Sequence, residues 1–109
     1  MMHRRTFAGA LALAALAPAA FAADWPDGKT IRIVVATGVG SGSDLTARQI
    51  ATGLGKELNT PVIIENKTGA GGVIGTDFVA KAAPDGYTLL GTYAQHYTNQ
   101  LVQKTPYDA

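Results

Sequence analysis

The sequence has no cysteine among its 109 residues and only two histidines. The lack of cysteine excludes disulfides, thiolate metal sites and cysteine nucleophiles, so the fold depends on an apolar core. Of the two histidines, His3 lies in the opening segment and His96 stands alone in the rest of the chain. A lone histidine is more often packed in a loop or on a surface than used as a metal ligand. We therefore predict neither a metal site nor a catalytic residue.

Clusters of basic residues are also lacking, because after Arg4 and Arg5 the lysines and arginines occur singly. Nucleic acids and anionic membranes bind clustered basic side chains. The nine basic and eight acidic residues give a formal net charge of only +1. We therefore expect no nucleic-acid partner, and an anionic ligand would have to be held by local backbone geometry.

The longest apolar run, over residues 7–17, is interrupted at Pro18 and is too short to span a bilayer core of about 30 Å as an anchor. Two arginines precede it and Ala20-Phe21-Ala22 follows it, which is typical of a signal peptide. We predict that residues 1–22 are removed after Ala22 and that the protein is exported, by either the general or the twin-arginine route. The other 87 residues carry seven basic and eight acidic side chains and suffice for one small domain.

The remaining segment opens with a β-branched run over 30–36, which predicts a strand. Glycines follow, and Ser43 is suited to cap a helix over 44–58. Asn59 tolerates the left-handed conformation found at helix ends, and Pro61 prevents the helix from continuing. Apolar residues at helical spacing predict the buried stripe of this helix: Leu45, Ile50, Leu54 and Leu58.

The same pattern then recurs along the chain. Its predicted elements are a strand over 61–65, a glycine-rich turn over 66–72, a helix over 73–83, a strand over 87–90 and a short helix over 101–104. The second helix has Ile74, Phe78 and Ala82 on one apolar face. The polar stretch 93–100 has no clear helix or strand pattern.

Strands that alternate with helices run parallel, because each helix carries the chain back to the same edge of the sheet. We therefore predict an α/β fold with a parallel sheet in the order 2-1-3. In that order, helices leave on opposite faces at the boundary between the first and third strands, and ligands bind in the crevice beyond the carboxyl ends of the strands. Three loops are expected to meet there: 37–44, 65–72 and 91–96.

The first two of these loops each join glycine-rich backbone to a helix N-terminus. Such a terminus carries unpaired amide N–H groups and the positive end of the helix dipole, which attract an anion without any basic side chain. We interpret the pair as a site for a carboxylate. Simpler interpretations stay open at this point, because glycine clusters are often only turns, and Ser43 and Asp44 are common capping and first-turn residues.

Two enzymatic alternatives fit the sequence less well. A dinucleotide-binding domain would use Glu65 as its ribose-binding acid, but Ser43 stands where G-x-G-x-x-G requires its third glycine. A hydrolase would need Gly-x-Ser-x-Gly, and Gly40-Ser41-Gly42 does not have that spacing.

Three stretches carry a more specific pattern. They are 33–44 (IVVATGVGSGSD), 65–72 (ENKTGAGG) and 80–90 (AKAAPDGYTLL). In order and spacing they resemble the tripartite tricarboxylate transporter substrate-binding family, also called Bug proteins. The resemblance extends from about Trp25 to Asp108.

This resemblance implies a two-lobed periplasmic binding protein of the Venus-flytrap type, in which 23–109 form part of lobe one and the chain stops before lobe two. It implies that a small carboxylate or dicarboxylate is held between the lobes and passed to the integral-membrane subunits of a tripartite tricarboxylate-type transporter. It implies no enzymatic activity and no cofactor. The chain departs from the family pattern at 36–38, where Pro-Phe-Pro is common, and at Gln95, where threonine is common, so the identity of the carboxylate stays open. The predicted ligand-binding residues are Thr37, Gly38, Gly40, Ser41, Gly42, Ser43, Asp44, Gly69, Ala70, Gly71, Gly72, Thr92 and His96.

Overall fold

The computed structural model describes residues 24–108, so the predicted signal peptide over 1–22 lies outside the described residues. The three predicted strands are confirmed to within one residue at each end. In chain order the elements are β1 (Ile31–Val35), α1 (Gly42–Leu58), β2 (Val62–Asn66), a 3₁₀ turn (Ala70–Gly72), α2 (Val73–Ala80), β3 (Thr88–Gly91) and α3 (Gln95–Val102). Within 24–108, none of these helices is both long and apolar enough to cross a membrane.

The sheet is parallel and has the order β2-β1-β3, which confirms the predicted topology. Ile33 of the central strand lies opposite Ile64 of β2 and Leu89 of β3. The side chains of β1 are largely buried, because this strand has a neighbour on each side and a helix on each face.

The two helices α1 and α2 cover opposite faces of the sheet. Successive side chains of a strand point to opposite faces. Val35 packs with Ala47 and Ala51 of α1, whereas Ala36 lies against Gly75 of α2. This arrangement places a crevice at the carboxyl ends of β1 and β3, where parallel sheets bind their ligands.

Helix α1 begins two residues earlier than predicted, and its N-cap is Ser41 rather than Ser43. The Ser41 side chain accepts a hydrogen bond from the Asp44 N–H at 3.2 Å. This leaves Gly42 and Ser43 as the first two helical residues. At the other end Asn59 has φ 47° and ψ 46°, so the predicted left-handed helix end is confirmed.

The buried face of α1 differs from the predicted stripe. Leu45 and Ile50 are each 56% exposed, and the buried residues are Asp44, Ala47 and Ala51. Those three positions also recur at helical spacing. The spacing alone therefore allows α1 to turn either the predicted stripe or these three residues toward the sheet. The small alanines allow α1 to lie close to the β-branched side chains of the sheet, and the contacts of Asp44 hold the helix in this rotation.

Helix α2 ends at Ala80 instead of Ala83, and its predicted apolar face is also wrong. Ile74 is 54% exposed and Phe78 is 38% exposed, whereas Gly75 and Thr76 are buried. A Cβ at Gly75 would lie 2.6 Å from the carbonyl oxygen of Lys67, so α2 approaches the chain more closely than a larger residue would allow. This close approach determines which face of α2 is buried.

Helix α3 occupies the polar stretch that received no assignment and replaces the predicted helix over 101–104. Its buried residue is Asn99, whose side-chain amide donates a hydrogen bond of 3.0 Å to the Gly71 carbonyl. Helix α3 is therefore held by a tertiary contact with the glycine-rich turn, which the local sequence pattern does not show.

Candidate functional site

The candidate site lies at the carboxyl edge of the sheet, at the N-terminal end of α1. The loop 37–41 carries the chain from β1 to this helix end, and Gly91 and Thr92 reach the same place from the end of β3. The sequence prediction placed the ligand at this boundary between the first and third strands.

The first turn of α1 presents two amide groups that have no acceptor within residues 24–108. The Asp44 N–H donates to the Ser41 hydroxyl, and the Leu45 N–H donates to the Ser41 carbonyl at 2.9 Å. The N–H groups of Gly42 and Ser43 have no such partners in the described part of the chain. Unpaired amides at the positive end of a helix dipole form a favourable environment for an anion.

A cavity of about 300 Å³ opens beside these amides. Three predicted site residues, Gly42, Ser43 and Thr92, line it. The rest of its lining was not predicted and consists of Thr46, Ala47, Ile50 and Gly91. The predicted buried stripe assigned Ile50 to the core, so the observed rotation of α1 is what places this side chain at the cavity.

The cavity lining divides into a polar part and an apolar part. Gly42, Ser43, Thr46 and Thr92 carry backbone amides or hydroxyls that can form hydrogen bonds, whereas Ala47 and Ile50 are apolar. No lysine or arginine contributes to this lining. The arrangement suits a small organic acid whose carboxylate meets the amides and whose carbon chain lies along the helix.

Asp44 does not line the cavity, and both of its carboxylate oxygens bind other groups of the protein. Its Oδ2 accepts from the Gly40 N–H at 2.9 Å and from Arg48 Nε at 3.0 Å, and its Oδ1 accepts from Asn66 Nδ2 at 2.9 Å. The hydrogen bond from Arg48, followed by those from Gly40 and Asn66, lowers the pKa of Asp44 from 3.8 to about 2. The carboxylate is therefore ionised at neutral pH. It is also buried, because Asp44 is only 1% exposed.

The other predicted residues of this loop bind within the loop itself. The hydroxyls of Thr37 and Ser41 are 2.7 Å apart and hydrogen-bonded, and the Ser41 N–H donates to the Gly38 carbonyl at 3.2 Å. Gly40 has φ +84°, a conformation that favours glycine. These residues shape the loop that leads into α1.

The glycine-rich turn Gly69–Gly72 lies on the α2 face of the sheet and does not contribute to this cavity. Gly72 is buried beside Ala36, and the carbonyl of Gly71 accepts from Asn99 of α3. This turn packs α2 and α3 together, and its predicted contact with a ligand stays a prediction, as does that of Ala70.

His96 lies in α3 and is likewise separate from the cavity lining. Its ring stacks on Tyr107 with a centroid distance of 5.6 Å and meets Tyr97 edge-on at 5.0 Å. Its predicted ligand contact also stays a prediction. Glu65, the acid weighed for a dinucleotide site, forms ion pairs of 3.1 Å with both Arg32 and Lys67.

The chain matches the family model described as the tripartite tricarboxylate transporter family receptor over residues 46–109. A UPF0065 protein of Bordetella bronchiseptica is 44% identical over 99 residues, which cover 89% of this chain and 29% of that relative. The chain thus spans less than a third of the length of this relative.

Three solved structures are similar in fold and in sequence. The periplasmic binding protein BugD has a TM-score of 0.54 and 44% identity over 56% of this chain and 20% of its own. An R. palustris protein solved with adipate has a TM-score of 0.59 and 36% identity over 62% of this chain and 22% of its own. MatC of Rhodopseudomonas palustris, solved with malate, has a TM-score of 0.54 and 44% identity over 56% and 21% of the two chains.

The family is described as one of receptors, which confirms at the family level the prediction that the protein is not an enzyme. The α/β fold of this chain agrees with this assignment. The chain belongs to the tripartite tricarboxylate transporter receptor family, and it is similar in fold and sequence to the periplasmic binding protein BugD.

Proposed function

We propose that the protein binds a small dicarboxylate in the periplasm and delivers it to the integral-membrane subunits of a tripartite tricarboxylate-type transporter. The family description supports the transport role, and the two similar structures solved with adipate and malate support a dicarboxylate. Both of these acids are small and flexible, and they carry a carboxylate at each end.

The observation that carries this proposal is the pair of unpaired amides at Gly42 and Ser43, beside the cavity at the head of α1. Hydrogen bonds from backbone amides to a carboxylate are charge-assisted and stronger than neutral ones. Thr92 supplies a hydroxyl donor from the other side of the cavity. Because no basic side chain lines the cavity, the backbone supplies the positive potential.

We assign different roles to the predicted site residues. Gly42, Ser43 and Thr92 contact the first carboxylate, and the loop 37–41 together with Asp44 holds these donors in place. The ligand contacts proposed for Gly69–Gly72 and His96 require the bound acid to reach beyond the cavity, toward the α2 face of the sheet.

We further propose that residues 23–109 form part of lobe one of a two-lobed receptor. The similar structures are matched over only 20–22% of their own length, so most of each of those proteins lies outside the matched region. A second lobe would close over the cavity and contact the other carboxylate.

The exported location is proposed from the leader over 1–22 together with the periplasmic relatives. Mass spectrometry of the exported protein is expected to show Ala23 as the first residue. A periplasmic product that retains Met1 would contradict cleavage at this site.

Isothermal titration calorimetry tests the binding function directly. The complete natural protein that contains these residues is titrated with malate, succinate, adipate and citrate. Succinamide, the neutral diamide of the same shape as succinate, is titrated as the control. We expect at least one dicarboxylate to bind at least about a hundredfold more tightly than succinamide, because charged acceptors strengthen the amide hydrogen bonds. Equal affinity for the acids and for succinamide would contradict the proposal.

A further inference from the structure

The head of α1 combines two features that oppose each other. Its Gly42 and Ser43 amides are suited to receive a carboxylate, yet Asp44, in the same turn, is itself a buried carboxylate. Like charges that share a site repel each other, and burial strengthens this repulsion because less water screens it. An acidic ligand therefore requires the negative charge of Asp44 to be balanced.

The structure balances this charge with Arg48, one turn further along α1. Arg48 Nε lies 3.0 Å from Asp44 Oδ2. The same guanidinium donates through Nη2 to Asn66 Oδ1 at 3.2 Å, which fixes its orientation. Arg48 is not in the lining of the proposed ligand cavity, so its charge acts through Asp44 and not by direct contact.

Asn66, at the end of β2, connects this ion pair to the loop after β1. Its side-chain Nδ2 donates both to Asp44 Oδ1 at 2.9 Å and to the carbonyl of Thr37 at 3.1 Å. Its Oδ1 accepts from Arg48. One amide side chain therefore joins the loop, the helix and the neighbouring strand, and Gly40 completes the connection through its N–H to Asp44.

We infer that Asp44, Arg48 and Asn66 are positioning residues of the proposed carboxylate site. Asp44 and Asn66 hold the loop 37–41 so that the Gly42 and Ser43 amides face the cavity, and Arg48 cancels the charge that Asp44 would otherwise direct at the ligand. This inference rests on the proposed function. It adds that Arg48, which does not touch the ligand, makes the affinity depend on the charge of the ligand.

The inference predicts a dependence on ligand charge that a purely structural role does not produce. In Arg48→Gln the charge of Asp44 is unbalanced, so a dianion loses more affinity than a monoanion of similar size. In the double variant Asp44→Asn, Arg48→Gln both charges are absent, so the affinity for the dianion recovers relative to Arg48→Gln alone. A structural role predicts that the double variant binds no better than the single one.

The experiment measures the dissociation constants of malate and of 2-hydroxybutyrate at low and high salt, again with the complete natural protein. For Arg48→Gln we expect about a tenfold loss for malate and at most about a threefold loss for the monoanion, with the difference shrinking at high salt. Lys56→Gln removes an exposed cation from the same helix and serves as the matched control. We expect it to leave both affinities within about twofold.

Circular dichroism first verifies that each variant is folded. If Arg48→Gln does not fold, Arg48→Lys is used, because lysine keeps the charge but loses the oriented contact with Asn66. We expect Arg48→Lys to keep the wild-type ratio of the two affinities within about twofold, and a lowered preference for malate would overturn the inference. Equal losses for both acids in Arg48→Gln, or no recovery in the double variant, would overturn it as well. A wild-type protein that binds no carboxylate would instead contradict the proposed function itself.

Discussion

Asp44 shows how the surroundings of a single residue determine its chemistry. Sequence position identifies it as a first-turn acid, and the structure confirms that position in α1. Its burial and its three donors come from the loop, from one turn further along the helix and from a neighbouring strand. The donors from Arg48 and Gly40 lie four residues from Asp44 in the chain, but Asn66 is 22 residues away, and no local pattern predicts that contact.

The low pKa of Asp44 makes the stability of the folded protein dependent on pH. The hydrogen bond from Arg48 and those from Gly40 and Asn66 lower this pKa from 3.8 to about 2 in the folded state. The unfolded chain therefore binds more protons between these pH values, so the contribution of Asp44 is fully present above pH 3.8 and is lost as the pH falls through about 2.

We expect the melting temperature of wild-type protein to fall more steeply between pH 4 and pH 2 than that of Asp44→Asn. Circular dichroism melts across this range provide the comparison, because the other carboxylates are common to both proteins. Parallel curves for the two proteins would show that the Asp44 network does not contribute to acid stability.

At the scale of secondary structure, the existence and order of the strands and of α1 and α2 could be predicted from the sequence. Runs of β-branched residues and the glycine, asparagine and proline signals between them are local features, and local features determine which elements form and in what order. The buried faces could not be predicted in the same way. Both α1 and α2 carry larger apolar residues at helical spacing, yet alanine, glycine, threonine and the acid Asp44 occupy their buried positions.

The close approach of α2 to the sheet leads to a prediction about two glycines. A Cβ at Gly75 would lie 2.6 Å from the Lys67 carbonyl oxygen and 3.1 Å from Ala36 Cβ, whereas a Cβ at Gly53 of α1 meets no atom within 4 Å. We expect Gly75→Ala to destabilise the protein by about 1–3 kcal/mol through overpacking. We expect Gly53→Ala to stabilise it by up to about 1 kcal/mol, because alanine favours a helix.

Urea unfolding midpoints of the two variants and the wild type test this pair. Both substitutions add the same methyl group to a helical glycine, so propensity acts alike in both and packing alone distinguishes them. Equal midpoints for Gly75→Ala and Gly53→Ala would show that α2 does not lie as close to β1 as described.

At the scale of the whole molecule, the parallel 2-1-3 sheet could be predicted. Strands alternate with helices along the chain, and the rule of right-handed connections leaves few possible strand orders. The cavity could not be predicted in detail, since its wall depends on the rotation of α1 that exposes Ile50. Among the strands within residues 24–108, β2 and β3 each pair with β1 alone, and Leu101 and Val102 of α3 are 83% and 80% exposed. These open edges and apolar side chains support the proposal that residues 23–109 form part of a larger lobe.

The central claim is that backbone amides at the head of α1 bind the carboxylate, and Gly42 allows its most direct test. Gly42 is the first residue of the helix, where proline is favoured, and Ser41 before it has φ −66° and ψ 162°, which suits a residue preceding proline. Gly42→Pro therefore removes one candidate donor while keeping the helix. Gly42→Ala keeps the donor and adds a Cβ that meets no atom within 4 Å.

The measurement is the dissociation constant of the tightest dicarboxylate for these two variants and the wild type. We predict that Gly42→Ala binds within about threefold of wild type and that Gly42→Pro binds about 10- to 100-fold more weakly, as expected for the loss of one hydrogen bond to a charged group. Equal, wild-type affinity in Gly42→Pro would contradict the account, because the carboxylate would then be bound elsewhere.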